Sequence, residues 1–318
     1  MSDNYSNRNI QKNPTILVTG GSGLVGRYLT SVLLSEGFKV LHLSRNVNQF
    51  GKVRVFRWDP EKKIIDPAIL EDVDVIVHLS GANIGEKRWT NKRKKDIVNS
   101  RVNSANFLYE VVADRNIPLK TFISASATGY YGSGKSDKVF REEDPPSNDF
   151  LGTTCRLWEE GADQFKNLGI RTVKIRTAVV LEKNDSALAK LMKPARSGLV
   201  IRTGNGNQYF PWIHITDLCN IYLKAINDQN MNGAYNAVSP GYVTHNEFIR
   251  TMARVMNKPL FLPPVPAFVL KMILGEMSEL ILKGNRVSSE KIINRGYRFI
   301  YMNLDSALKN IIYDQNSS

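Results

Sequence analysis

Cysteine is scarce in this chain, which has 318 residues but contains only Cys155 and Cys219. Two cysteines are too few for a disulfide framework, and their separation is not the spacing of metal ligands. The sequence also has neither a carboxylate pair nor a cluster of His, Cys, Asp and Glu at metal-binding spacing. We therefore exclude a disulfide-stapled fold and expect no metal site.

Long apolar runs are missing as well. Residues 1–14 are polar and lack the apolar core of a signal peptide. The most apolar late segment, residues 265–282, contains Lys271, Glu276 and Glu279, a pattern that favours an amphipathic helix over a membrane span. We expect a soluble, reduced, cytoplasmic protein with no membrane partner.

Negative charge is in deficit, with 30 Asp and Glu against 43 Lys and Arg, for a formal net charge of +13. Such an excess is compatible with nucleic acid, a membrane surface or an anionic small ligand as partner. The densest basic cluster is "EKRWTNKRKKD", residues 86–96, and no zinc-finger, RNA-recognition or helix-turn-helix signature accompanies it. We interpret the cluster as a solvated basic face and do not expect nucleic acid as a partner.

What the sequence does contain is an alternation of short apolar runs with helical patterns. One such pattern places Leu24, Tyr28, Leu29, Val32 and Leu33 on a single helical face. Strands that alternate with helices at this spacing predict an α/β fold with a doubly wound, Rossmann-like parallel sheet. The strand-like runs lie at residues 15–20, 39–45, 53–58, 73–80, 121–126 and 171–176.

The pattern changes after about residue 181, where helical segments and proline-rich stretches become more frequent. We expect a smaller, mostly helical lobe against the carboxyl-terminal edge of the sheet, where such folds bind ligands. The predicted units are a Rossmann domain at 14–181 to which 204–240 return, a substrate lobe at 182–203 and 241–312, and flexible tails at 1–13 and 313–318.

A glycine motif, "TGGSGLVG", joins the first strand to the first helix. Gly20 permits a tight turn, Gly23 allows a pyrophosphate to approach the backbone, and Gly26 allows close packing of helix and strand. The free N–H groups and the dipole of the helix then face the phosphates. Because a strand precedes the motif and an amphipathic helix follows it, we predict dinucleotide binding.

The end of the second strand bears on the choice between NAD and NADP. A protein that binds NAD usually has Asp or Glu about 20 residues beyond the glycines, where the carboxylate binds the ribose hydroxyls. This chain has Ser44 and Arg45 there and no acid. A guanidinium suits the 2′-phosphate of NADP, and a serine hydroxyl adds a further hydrogen bond. We predict NADP(H) as cofactor; the alternative is a surface arginine with no such role.

Together these segments resemble the extended short-chain dehydrogenase/reductases, the superfamily of sugar-nucleotide epimerases and dehydratases. Within it, the chain is most similar to an atypical subgroup, the NAD(P)-dependent epimerase-family proteins, over about residues 15–312. The segments that carry the resemblance are "TGGSGLVG", "VIVHLSGA", "FISASATGYYG", "VKIRTAVVL", "FPWIHITDL" and, at 275–299, "GEMSELILKGNRVSSEKIINRGYRF".

The resemblance implies roles for several residues. Ser126 matches the catalytic serine that hydrogen-bonds a substrate carbonyl or hydroxyl. Arg101 falls where many members have an asparagine beside the cofactor, which implies a second cationic cofactor contact. Leu79 and Ser80 match the strand end that passes beneath the cofactor ribose.

The resemblance also bears on Val179 and Val180, which match the strand end that flanks the nicotinamide. Their alternative role is simple packing in the core of the sheet, and the sequence leaves both interpretations open.

The superfamily's Tyr-x-x-x-Lys pair is missing. The tyrosine exchanges a proton with the substrate oxygen, and the lysine holds the ribose and lowers the tyrosine pKa. Glu159 matches the acidic residue four places after the lysine, so Leu151 and Cys155 occupy the two catalytic positions. Leucine has no proton to donate, and a thiol donates only weakly.

Tyr130 and Tyr131 are the nearest substitutes, with Arg101 as the cation near the ribose. The alternative is that both tyrosines only pack against the pocket. Cys155 is less favoured as a nucleophile, because helical cysteines are usually apolar fillers. For His214 we favour a structural hydrogen bond.

Two classes of function remain. One is an NADP-dependent oxidoreductase or epimerase that acts on an unidentified small carbonyl or hydroxyl compound with a rearranged proton donor. The other is an NADPH-binding sensor or regulatory protein with little or no catalysis. The expected partner is a small-molecule substrate, and a homo-oligomer is left open.

Overall fold

The computed structural model describes residues 13–47, 51, 53–70, 72–132, 138–260 and 263–313. Apart from Asn13 and Tyr313, the two tails predicted to be flexible lie outside the described residues. The β-strands are β1 (Thr15–Thr19), β2 (Lys39–Ser44), β3 (Arg54–Asp59), β4 (Ile64–Ile65), β5 (Val75–His78), β6 (Thr121–Ala127), β7 (Val139–Phe140), β8 (Arg171–Thr177), β9 (Val179–Leu181), β10 (Trp212–His214), β11 (Gly233–Ala237) and β12 (Arg286–Val287).

Helices follow most of these strands, and two of the 3₁₀ turns between them, Thr128–Tyr131 and Gly275–Ser278, matter for the site. The α-helices are α1 (Leu24–Ser35), α2 (Asn91–Asp114), α3 (Phe150–Asp163), α4 (Ala187–Arg196), α5 (Ile215–Asn227), α6 (His245–Val255), α7 (Ala267–Leu274), α8 (Glu279–Leu282), α9 (Glu290–Asn294) and α10 (Leu304–Tyr313).

The central sheet has the strand order β11-β8-β6-β5-β1-β2-β3-β4. All neighbouring strands are parallel except β3 and β4. The order reverses direction at β1, so the chain winds outward in both directions and the carboxyl ends of the parallel strands meet at one edge. The α/β, Rossmann-like fold predicted from the sequence is therefore confirmed.

Helices cover both faces of the sheet because alternate residues of each strand point in opposite directions. Ile16 and Val18 of β1 pack in a core cluster with residues of α1 and α5. Leu17, between them, packs in a second cluster with residues of α2 and α3. Parallel strands buried on both faces have few polar positions, which is why the runs near Ile16 and Ile76 read as continuous apolar segments.

A third core cluster lies in the C-terminal part of the chain. It brings together α4, α6 and α10 around Met192, Phe248, Met252 and Leu308, and Trp212 of β10 joins it. Helix α6 begins with a reciprocal capping box between Thr244 and Glu247.

The segment 265–282, for which the sequence favours an amphipathic helix, is divided into α7, the 3₁₀ turn and α8. The break occurs at Gly275, which has a φ of +60°, a left-handed conformation that ends a helix readily only at glycine. None of the side chains of α7 is buried. Within the described parts of the chain, no helix is both long and apolar enough to cross a membrane.

Candidate functional site

The glycine motif forms a tight loop between β1 and α1. Gly20 has a φ of +71°, and a Cβ at this position would lie only 3.0 Å from the backbone of Leu79 and of Ser80. A Cβ on Gly26 would lie 2.4 Å from the Gly20 carbonyl oxygen. At Gly23 the protein leaves more room, because the nearest atom would be 3.2 Å away. The loop is thus a cradle of bare backbone into which side chains do not fit.

Gly21, for which no role was predicted from the sequence, is as tightly enclosed as Gly26. A Cβ there would lie 2.4 to 2.6 Å from atoms of the His42 ring. That ring is buried below the loop, where its Nε2 lies 2.8 Å from Thr30 Oγ1, and burial lowers the pKa of His42 to about 4. The doubled glycine in "TGGSG", followed by a histidine inside the next strand, was the signal that sequence reasoning missed.

The N-terminus of α1 differs from those of the five helices that follow it. Side chains cap α2, α3, α4, α5 and α6 by accepting a hydrogen bond from a backbone N–H. Helix α1 begins after Gly23, with no side-chain cap and no acidic residue in its first turn. Its free N–H groups and positive dipole end suit an anion, and the glycine cradle lets a pyrophosphate approach them. The residues present therefore fit a dinucleotide.

The end of β2 lies beside this loop in the sheet. Ser44 is the last residue of β2 and is half-buried, and its Oγ accepts a hydrogen bond from the backbone N–H of Asn46 at 3.3 Å. Arg45 follows directly and is exposed. The guanidinium is therefore accessible to a ligand at the carboxyl end of β2.

The chain after β5 passes close to the same loop. Ser80 donates its backbone N–H to Thr19 Oγ1 at 3.3 Å, and Thr19 Oγ1 lies 2.8 Å from His78 Nδ1. His78 is fully buried, which lowers its pKa to about 4. Leu79 and Ser80 are half-buried. These contacts fix Leu79 and Ser80 against Gly20. Gly20 lies in the loop from Gly20 to Gly26, which we call the cofactor loop.

Arg101 of α2 is a cation that has no carboxylate partner among the described residues. It donates from Nη1 to the carbonyl oxygens of Ala82 at 3.1 Å and Ile97 at 2.9 Å. Its Cζ lies 4.8 Å from the ring centroid of Trp158, and burial lowers its pKa. Gly81 faces it closely, since a Cβ there would lie 3.1 Å from Cζ. Arg101 thus places positive charge beside Gly81 and Ala82, which directly follow Leu79 and Ser80.

Ser126 lies near the end of β6 and points into a buried ionic network. Its side chain is 3% exposed, and its hydroxyl donates to Glu159 Oε1 at 2.8 Å. Glu159 also accepts two hydrogen bonds from Arg176, at 2.7 Å and 2.9 Å. The one proton of the serine hydroxyl is engaged inside the protein, so these contacts favour a supporting role over the direct substrate contact expected from the sequence.

The two tyrosines that follow β6 differ in their surroundings. Tyr131 is 3% exposed; its hydroxyl donates to Asn236 Oδ1 at 2.7 Å and accepts from Arg176 Nη1 at 2.9 Å. Burial raises the pKa of Tyr131 above its ordinary value. Tyr130 is half-buried, and Arg176 Cζ lies 3.5 Å from its ring centroid. The geometry favours Tyr130 as the phenol that a ligand can reach.

Glu159 and Arg176 form this network, although the sequence predicted no role in the site for either residue. A signal was nevertheless present, because Lys174 and Arg176 interrupt an otherwise apolar run in β8. Val173 and Ile175 face the cluster near α1 and α5, whereas the two cations face α3. Charges at alternate positions of a central strand imply buried partners on one face.

Leu151 and Cys155, the two residues predicted to occupy the catalytic positions, are packed against the turn after β6. A Cβ on Gly129 would lie 3.5 Å from Leu151 Cβ and 3.7 Å from Cys155 Sγ. Cys155 is 5% exposed, and burial raises the pKa of its thiol to about 12. A buried, protonated thiol is neither a nucleophile nor a metal ligand. Both residues fill space at this position.

Val179 and Val180 lie in β9, which pairs with β10 in a small separate sheet, with Val180 opposite Ile213. Both valines are half-buried. His214, at the end of β10, accepts the backbone N–H of Thr216 at 3.2 Å and so caps α5. This is the structural hydrogen bond that the sequence favoured for His214.

The C-terminal segment 275–283 separates a cavity from the start of α3. Met277 and Leu280 pack with Leu151 and Trp89. Other residues of the same segment line a cavity of about 810 Å³. The far side of the cavity is formed by Gly204, Asn205 and Gln208 and by Pro264, Pro266, Ala267 and Lys271. No group of three or more His, Cys, Asp or Glu in the described part of the chain is placed to hold a metal ion.

Two family models match the chain. The model described as the NAD dependent epimerase/dehydratase family matches residues 16–238, and one for a domain of unknown function, DUF1731, matches residues 265–311. The chain belongs to the NAD dependent epimerase/dehydratase family. The resemblance inferred from the sequence motifs is thereby confirmed, including the unusual C-terminal segment. The glycine cradle is consistent with a family of NAD(P)-binding proteins related to the short-chain dehydrogenase/reductases.

Named relatives agree with this assignment. The epimerase family protein YfhF of Bacillus subtilis is 36% identical over 305 residues, which are 95% of this chain and 99% of that protein. The Mycobacterium leprae epimerase family protein ML0860 is 32% identical over 294 residues, covering 92% and 94% of the two chains. The solved structure of human epimerase family protein SDR39U1 (isoform 2) with NADPH has a TM-score of 0.83 and 29% identity, covering 93% of this chain and 98% of that one.

Proposed function

We propose that the protein is an NADPH-dependent oxidoreductase or epimerase that acts on a small carbonyl or hydroxyl compound. In this proposal Tyr130 replaces the tyrosine that α3 lacks. The observation that carries it is the position of Tyr130: half-buried, just past the carboxyl end of β6, with its ring on the guanidinium of Arg176. The carboxyl ends of β1, β2 and β6 lie on the same edge of the parallel sheet, where such folds bind ligands.

In this proposal the cofactor would be held by residues between Gly20 and Val180. The loop from Gly20 to Gly26 and the uncapped start of α1 would receive the pyrophosphate. Leu79 and Ser80 would hold the ribose, with Arg101 as a nearby cation. Val179 and Val180 would bind the nicotinamide.

The preference for NADPH over NADH rests on Ser44 and Arg45. The exposed guanidinium at the end of β2 can pair with the 2′-phosphate through charge-assisted hydrogen bonds, and no carboxylate is present there to bind a free ribose hydroxyl. The NADPH in the solved structure of the human relative supports this choice.

In the reductive direction, NADPH when bound supplies the hydride, with its two electrons, to the carbonyl carbon of the substrate. Tyr130 donates its hydroxyl proton to the carbonyl oxygen, which becomes the alcohol. The phenolate then regains a proton from water. Arg176, against the ring, stabilises the transient negative charge of Tyr130.

Ser126 and Tyr131, which the sequence analysis also placed in catalysis, have a supporting role in this proposal. Their hydroxyl groups hold Glu159 and Arg176, and these in turn hold Tyr130.

The experiment is a screen of small aldehydes, ketones and dicarbonyl compounds for substrate-dependent loss of NADPH absorbance. Any compound that turns over is then tested with Tyr130→Phe, Tyr131→Phe, Ser126→Ala and Cys155→Ala. General acid catalysis contributes about 10²–10⁴-fold, so Tyr130→Phe should lose activity within that range. Cys155→Ala should keep it. Full activity in Tyr130→Phe, or an inactive Cys155→Ala that still folds, contradicts the assignment.

A second candidate function is an NADPH-binding sensor or regulatory protein. The specific observation in its favour is that Leu151 and Cys155 are packed against Gly129, so the usual catalytic positions on α3 contain no proton donor. Tight NADPH binding without turnover of any compound in the screen, and no effect of Tyr130→Phe on NADPH binding, favours this candidate.

A further inference from the structure

The guanidinium of Arg176 contacts two residues at once: the buried carboxylate of Glu159 on α3 and the half-buried ring of Tyr130. We propose that Arg176 is a positioning residue that fixes the ring of Tyr130 and supplies the positive charge that a lysine on α3 supplies elsewhere in the superfamily. The inference deepens the proposed function and rests on it for the role of Tyr130.

Arg176 is held on every side and has little freedom to move. Its side chain is 4% exposed. Nε and Nη2 donate to the two oxygens of Glu159, at 2.7 Å and 2.9 Å. Nη1 donates to the hydroxyl of Tyr131 at 2.9 Å and to the carbonyl oxygen of Glu142 at 3.0 Å. A planar group with this many fixed partners forms a rigid platform.

Tyr130 lies on this platform. The distance from Arg176 Cζ to its ring centroid is 3.5 Å, well inside the range of a cation–π contact. Tyr131 meets the ring of Tyr130 edge-on, with centroids 5.5 Å apart and an interplanar angle of 80°. Two fixed contacts therefore define the orientation of the ring while part of the side chain remains exposed.

The charge of Arg176 also matters for the ionisation of Tyr130. Burial raises the pKa of Tyr130, Arg176 opposes that rise, and the nearby carboxylates add to it. A phenol that gives up its proton in a reaction needs a cation to stabilise the phenolate. Among the described residues, the charged groups that act on Tyr130 are Arg176 of β8 and Glu159 and Asp163 of α3. Lys174, Glu142 and Tyr131 contact these groups, and the thiol of Cys155 packs against the same turn at Gly129.

Arg176 and Lys174 are both cations of β8, but they differ in their contact with Tyr130. Lys174 Nζ lies 3.5 Å from Glu159 and 2.7 Å from Asp163 and so belongs to the same network. Of these two cations, Arg176 is the one whose guanidinium lies against the ring of Tyr130. Removing either cation perturbs the network, but only removal of Arg176 takes away the platform.

The test measures the ionisation of Tyr130 directly, in the full chain and without any substrate. Carbon-13-labelled tyrosine is incorporated, and the Tyr130 signal is identified by its absence in Tyr130→Phe. The titration midpoint, which is the pH at which half of Tyr130 is ionised, is then measured by NMR. It is measured in wild type, in Arg176→Lys and in the double variant Glu159→Gln with Arg176→Met. The double variant removes both charges together, which avoids an uncompensated carboxylate in the interior. Lys174→Met is the matched control.

We expect the midpoint of Tyr130 to rise in the double variant, because Arg176 lowers the pKa of Tyr130 by more than Glu159 raises it. The rise should be smaller in Arg176→Lys, which keeps the charge, and least in Lys174→Met. A midpoint that is the same in wild type and in the folded double variant overturns the inference, as does an equal rise in Lys174→Met.

Reduction of a probe carbonyl, 9,10-phenanthrenequinone, separates this inference from the proposed function. A rise in the Tyr130 midpoint together with about a 10-fold or greater loss of reduction in Arg176→Lys and Tyr130→Phe supports both. A rise in the midpoint with full reduction by Tyr130→Phe rejects Tyr130 as the proton donor and leaves its positioning by Arg176 established. NADPH binding that is unchanged in these variants shows that the cofactor site is intact.

Discussion

Leu151 of α3 packs with Trp89 in one buried apolar cluster. Met277 and Leu280 of the C-terminal segment pack against the same cluster. The start of α3 therefore anchors the C-terminal segment to the rest of the chain. Leu151, the residue predicted to stand in place of the catalytic tyrosine, contributes to this packing.

This packing predicts that restoring the family residues does not restore the family chemistry. In Leu151→Tyr with Cys155→Lys, a lysine replaces a thiol that is 5% exposed, and Glu159, the carboxylate that acts on this position, is already paired with Arg176. An uncompensated buried charge is strongly destabilising, so we expect a loss of about 3 kcal/mol or more in the free energy of unfolding. Urea unfolding measures it.

The exposed Arg156 on the same helix provides a control for that double variant, and Arg156→Ala should change stability by less than about 0.5 kcal/mol. A double variant that is as stable as wild type and oxidises NADPH faster contradicts this account of α3.

Two glycines of the cofactor loop should behave differently when changed to alanine. Gly21→Ala places a Cβ within 2.6 Å of the His42 ring, so we expect a loss of about 1–3 kcal/mol in stability as well as weaker NADPH binding. At Gly23 the nearest atom would be 3.2 Å away, so Gly23→Ala should fold normally and lose mainly NADPH affinity. Thermal unfolding and fluorescence titration separate the two effects.

The double variant Gly21→Ala with His42→Ala provides a check on the mechanism, because it removes the ring that the new methyl group meets. It should be more stable than the sum of the two single changes predicts. Additive losses would show that the clash with His42 is not the cause.

Stability should depend on pH through the buried histidines. The pKa values of His42, His78, His214 and His245 are each lowered to about 4 by burial, whereas the ordinary value is 6.5. Between about pH 6.5 and about pH 4 the unfolded chain binds more protons than the folded chain, so the free energy of unfolding falls as the pH falls.

Melting temperatures measured across that interval test this prediction, and they should drop steadily on the acid side of pH 6.5. His78→Gln, which keeps a hydrogen-bonding side chain but cannot titrate there, should flatten the pH dependence. A melting temperature that does not change over this window would show that these rings do not carry the effect.

The strands and the cofactor loop were predictable because they depend on local patterns. The β-branched run before Gly20 and the spacing of Leu24, Tyr28 and Leu29 are each visible within a few residues. The roles of Ser126, Tyr130 and Tyr131 were harder to separate, because their difference arises only when β8 brings Arg176 beneath them.

The break in the segment 265–282 was also outside the reach of periodicity. Its apolar spacing is helical, but Gly275 faces Arg88 so closely that a Cβ would lie 3.0 Å from Nη2, and the chain turns there with a positive φ. A contact between residues so far apart in sequence is set by tertiary structure.

The central claim, a site built for NADPH, is tested most directly by titrating NADPH and NADH into wild type and Arg45→Asp and following cofactor fluorescence. Hydrogen bonds to charged groups contribute about 1.5–3 kcal/mol, so wild type should bind NADPH more tightly by about 10-fold to 150-fold. Arg45→Asp should lose most of that preference and keep its affinity for NADH. Equal affinities of wild type for the two cofactors would contradict the account.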